Sequence, residues 1–152
     1  MSETWAQYLS EMERAIAASE AAAAVRAWHR AHAAALDQDG WQSTVRVAKA
    51  AHRIGTLRGF ERAAEARARE TYWVALFRAH REGSLSGVMQ TAEGFGRLGD
   101  RNMVEQCIRI AEGLAARGSE ERARAHDVRA LAEDLVRRYF TAPTEREAQS
   151  PA

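Results

Sequence analysis

His29 and His32 stand three residues apart, a spacing that sets both imidazoles on one face of a helix within reach of a common metal ion. A metal centre needs three or four ligands, and no Glu-x-x-His pair and no His-Glu-x-x-His run is present to complete a set. We therefore expect surface or partly packed histidines, with neither metal nor cofactor. Cys107 falls between Val104 and Ile108 on an apolar stripe, where a thiol stays neutral and inert. As the sole cysteine it admits no intrachain disulfide, and a reducing, cytoplasmic location is the simplest expectation. Gly94, Gly96 and Gly99 have the look of a phosphate loop, yet no strand precedes them, so close helix contact is the expected use of Gly94 and Gly96. Arg46, Lys49 and Arg53 form a basic stripe along one helix face, opposed to Val45, Ala48 and Ala51.

His52 lies beside that stripe. An exposed imidazole with cations around it can carry a phosphoryl group, and Lys49, Arg53 or Arg58 would balance the added charge. The stretch Ala50-Ala51-His52-Arg53-Ile54-Gly55 resembles the active helix of histidine phosphotransfer domains, although Gly55 stands where that family carries a Lys. The resemblance implies a phosphoryl carrier on His52 as the alternative function.

These side chains must be positioned by helices. Alanine supplies about a fifth of the chain, and it orders in a helix without side-chain entropy loss. Both prolines, Pro143 and Pro151, lie near the end, so the commonest helix breaker is missing before them. Apolar residues recur at three- and four-residue steps through about seven segments. The expected helices cover 4–17, 20–36 (with Ser19 as cap), 42–54 (ended by a left-handed Gly55) and 58–81. Three more follow: one capped by Ser84 and closed by Gly99-Asp100, one over 101–116, and one over 120–139 after Gly118-Ser119. Short loops force neighbours antiparallel, and the fold class is all-α. We expect a single domain over 1–140 and a disordered tail over 141–152. The run Tyr72-Trp73-Val74-Ala75-Leu76-Phe77 is apolar on every side of its helix. That suggests burial or a homodimer through Tyr72, Trp73 and Phe77.

Two stretches repeat. Placing Ala48 on Ala92 brings Ile54-Gly55 onto Leu98-Gly99, Phe60 onto Val104 and Ala64 onto Ile108. From Ala92 to Ala111, the order Ala92, Phe95, Leu98-Gly99-Asp100, Ile108, Ala111 resembles the tetratricopeptide repeat. The usual proline is missing, Val104 replaces a small residue and the fourth helix is long for that family, so an irregular helical bundle is the alternative. The resemblance implies three stacked hairpins plus a capping helix, a tetratricopeptide-like superhelix. It also implies a concave groove lined by first helices, here Arg46, Lys49 and Arg53 with Met89, Glu93 and Arg97 beside them.

The net charge of +1 disfavours a nucleic-acid or membrane binder, although residues 41–81 are locally basic. Arginine far outnumbers lysine, whose one occurrence is Lys49, and the Arg and Ala excess fits GC-rich bacterial coding. The expected function is a noncatalytic protein–protein interaction module or scaffold that takes a peptide or partner protein in a helical groove, an acidic one against the basic stripe.

Overall fold

The computed structural model describes residues 4–117 and 121–141. Among them seven α-helices and one terminal π-helical turn are present, packed against one another in a way compatible with a helical-repeat fold. The chain divides into two compact units, Met1–Glu82 and Gly83–Ala152. The expected tail and the Gly118-Ser119 stop lie outside the described residues, apart from the backbone of Thr141.

The first unit holds α1 (Thr4–Ala17), α2 (Ala21–Asp37), α3 (Gln42–Ile54) and α4 (Glu61–Glu82). Alanines at 24, 27, 31 and 35 of α2 are buried, so backbones approach closely while Trp28, Met12 and Tyr72 fill the larger spaces. α1 pairs with α2, α3 lies against both of them, and α4 pairs with α3. The Trp28 indole donates to the Val47 carbonyl at 2.9 Å, so its one polar atom is satisfied in the core.

The second unit holds α5 (Leu85–Arg97), α6 (Arg101–Ala115), α7 (Glu121–Val136) and the π turn Arg137–Thr141. Its core is built on Val88, Phe95, Cys107, Leu114, Val128 and Leu135. Here too the third helix lies against both helices of the preceding hairpin. Ser84 caps α5 by accepting from the Gly87 amide at 3.0 Å, and Asp100 caps α6 by accepting from the Met103 amide at 3.2 Å.

Three local expectations change. Ser19 does not cap α2: it sits at φ 59, and Glu20 occupies the cap position without a side-chain bond. The Glu20 amide instead donates back to Ala15 at 2.8 Å and the Ser19 amide to Ile16 at 3.0 Å, which closes α1 from behind. Gly55 is right-handed at φ −63, and the left-handed residue is Gly59 at φ 90. The α3–α4 connection is therefore longer than expected, and α4 begins at Glu61 rather than 58.

The expected repeat register breaks there, because Gly99 is left-handed at φ 73 while Gly55 is not. Phe60 also precedes its helix, whereas Val104 lies inside α6. The closer match is between the α1–α2 and α5–α6 turns. Asp100 and Gly99 donate back to Phe95 and Gly96 just as Glu20 and Ser19 do to Ala15 and Ile16. Placing Ser19 on Gly99 brings Met12 onto Ala92, Ala15 onto Phe95, Ala24 onto Val104 and Ala27 onto Cys107, every one of them buried.

Candidate functional site

The predicted residues divide between the units, with Arg46, Lys49 and Arg53 on α3 and Met89, Glu93 and Arg97 on α5. On α3 the periodicity is clean: Val45, Val47, Ala48, Ala51 and Ile54 are buried, and the three cations are exposed. Arg53 is already engaged. Its Nε and Nη2 donate to the two carboxylate oxygens of Glu13 on α1, at 3.1 and 2.9 Å. That fork holds the Glu13 carboxyl below its ordinary range, chiefly through the hydrogen bond itself. Arg46 and Lys49 are exposed and form no ion pair with the described residues.

Glu93 is engaged in the same way. Arg138 donates from Nη1 and Nη2 to its two oxygens at 2.9 and 2.6 Å, and the Tyr139 hydroxyl adds a bond at 3.1 Å. Asp134 accepts from Arg138 Nε at 2.9 Å and from Arg137 at 3.0 Å. These acidic partners raise the Arg138 pKa further, Glu93 most of all. In the register that matches the two hairpins, Glu13 falls on Glu93. Each unit thus anchors a Glu–Arg fork at the same position of its first helix, the partner being Arg53 of α3 in one and Arg138 of the π turn in the other. That shared position was visible in the sequence, but the register built on Gly55 hid it. Met89 is half-buried and Arg97 exposed.

His52 is half-buried, with Nε2 3.2 Å from the Tyr72 hydroxyl. A phosphoryl acceptor needs a ring nitrogen open to in-line attack, and a hydroxyl this close obstructs that nitrogen. Tyr72 is fully buried, so it cannot serve a dimer interface; Trp73 and Phe77 remain 39% and 66% exposed. His29 and His32 flank Trp28, one edge-on at 5.3 Å and the other stacked at 5.1 Å. Burial, then the neighbouring His29 and Arg67, lower the His32 pKa. The described residues contain no group of three His, Cys, Asp or Glu that could hold a metal, and no helix long and apolar enough to cross a membrane. Cys107 is fully buried, and burial with the nearby Asp100 charge pushes its thiol up to about 12.

Sequence reasoning missed two features of the first unit. Arg78 on α4 donates to the Ala35 and Gly40 carbonyls at 3.0 and 3.1 Å and to the Leu36 carbonyl at 2.9 Å. It thereby closes the C-terminus of α2, where carbonyls lack intrahelical donors. The second is an apolar cleft between α2, α3 and the start of α4, whose walls include Val25, Trp28, Ile54 and Phe60. No composition signal marks either, because each joins residues far apart in the chain. No family model, curated protein or solved structure matches the chain.

Proposed function

We propose that this chain is a noncatalytic protein-interaction module of tetratricopeptide-like build, which binds an acidic peptide segment on the α3 face bearing Arg46 and Lys49. The observation that carries the reading is selective pairing. Arg53 and Glu93 are neutralised by forks, while Arg46 and Lys49 stand one turn apart, exposed, with no carboxylate among the described residues. Side chains at that spacing lie about 5–6 Å apart at Cβ and can grip neighbouring carboxylates. The tetratricopeptide-like reading draws support from the way the third helix in each unit lies against both helices of the hairpin before it.

Affinity capture from native lysate, run in parallel with the wild type and the Arg46→Glu/Lys49→Glu variant, tests the proposal. The variant should lose the acidic partner that the wild type retains, and capture should weaken with salt. Its helical circular dichroism should not change, since both side chains are exposed. A partner held equally by both proteins would rule out the α3 face.

A further inference from the structure

The cleft beside α3 has a volume of about 170 Å³. An apolar cavity of about 150 Å³ accommodates one benzene, whereas pockets for drug-sized ligands run to roughly 300–1,000 Å³. The cleft therefore matches a single apolar side chain and excludes a nucleotide or flavin. Its lining comes from Ala51 and Ile54 of α3, not from Arg46 and Lys49, so it is a separate site from the proposed peptide face.

Two polar groups, His29 and Arg67, line the same small space as the apolar walls. Arg67 is more than half exposed, and its ion pair with Glu70 is long, at 3.6 Å. A guanidinium has five donors, and one stretched contact leaves most of them available to a ligand. Glu70, three residues on from Arg67, is the acidic counterweight. Because Arg67 and the apolar walls bound one side chain's worth of space, the anion must be carried on the same residue that fills it. A chain-terminal amino acid meets that condition, since its α-carboxylate is attached directly to the carbon that bears the side chain.

We infer that this cleft receives the apolar C-terminal residue of a partner protein, with the side chain against Trp28, Ile54 and Phe60 and the α-carboxylate held by Arg67 and His29.

N-acetyl-leucine is the minimal probe, followed through the imidazole resonances of His29 and the indole resonance of Trp28. It should bind saturably in the low-millimolar range, and an acetylated tetrapeptide ending in Leu should bind at least as well. N-acetyl-leucinamide lacks the charge and N-acetylglycine lacks the side chain; each should bind at least tenfold more weakly. Arg67→Gln should reproduce the loss seen with the amide. Ala63→Phe, placed at an exposed position on the cleft's edge, should abolish binding while the helical spectrum stays intact. Arg46→Glu/Lys49→Glu should bind the probe like the wild type, which keeps this test separate from that of the α3 face. No saturable shift, equal binding of the amide, or full binding by Ala63→Phe would overturn the inference. So would binding of the free amino acid with exclusion of the tetrapeptide, or loss of binding in the α3 double variant.

Discussion

Arg78 shows how much one side chain can carry. The last carbonyls of any helix lack intrahelical donors, and α2 ends in a tight connection to α3 with neither a glycine cap nor a basic residue in its own last turn. Arg78 supplies the missing donors from α4, reaching Ala35, Leu36 and Gly40 with one planar fork. Hydrogen bonds from a charged group contribute about 1.5–3 kcal/mol each when buried and less when wet. Two of these three are part-buried and the third is exposed, so Arg78→Ala should cost about 1–3 kcal/mol in total. Arg78→Lys should recover only part, because an ammonium is a point charge that cannot span three carbonyls in a plane. Urea unfolding followed by circular dichroism measures both. An alanine variant as stable as the wild type would show that water serves those carbonyls equally well.

At the scale of elements, Gly96 sets how closely the second unit packs. A Cβ built on it would lie 2.9 Å from Tyr139 Cδ2 and 3.1 Å from Cε2, closer than carbon atoms tolerate. The ring has little freedom to yield, since its hydroxyl donates to Glu93 and the Arg138 guanidinium lies over its face at 5.0 Å. Gly96→Ala should therefore destabilise by about 1–3 kcal/mol, the usual cost of overpacking. Gly113 in α6 is the control: a Cβ there meets nothing within 4 Å. Gly113→Ala should stabilise by about 0.5–1 kcal/mol, as alanine gains over glycine in a helix. Shifts of the same sign in the denaturant midpoint would refute the packing account. Close contact at Gly96 was legible in the sequence, as were the seven helices, because periodicity and small residues are local signals. The 55–60 connection was not. Ile54-Gly55 has the residue types of a helix stop, but the chain turns on through Thr56 and Leu57 by tight i→i+3 bonds before Gly59 reverses it. The Glu13–Arg53 and Glu93–Arg138 forks stayed hidden for another reason. Their partners come from different helices, and no sequence spacing distinguishes a cation that will be paired from one left exposed.

At the scale of the whole molecule, the division into two units predicts how the chain comes apart. All four tryptophans, Trp5, Trp28, Trp41 and Trp73, belong to the first unit, and the one cysteine, Cys107, belongs to the second. Nature has thus labelled each core with its own reporter. Trp5, Trp28 and Trp41 are buried, so indole emission follows the first core. Cys107 is buried with its thiol pushed up to about 12, so at pH 8 a thiolate-seeking reagent meets a neutral, shielded sulfur until the second core opens. The sign of the pH effect follows from the same shift. Stability from keeping this thiol neutral is complete below the ordinary thiol range, and it is lost as pH rises from there through about 12, because only the unfolded chain releases the proton early. Between those limits the second unit should weaken with rising pH while the first shows no matching change from this group. In urea at pH 8, Cys107 alkylation and tryptophan emission should give transitions with different midpoints. A chain with a single cooperative core would give coincident curves at every pH, and that result would show that the two units unfold as one.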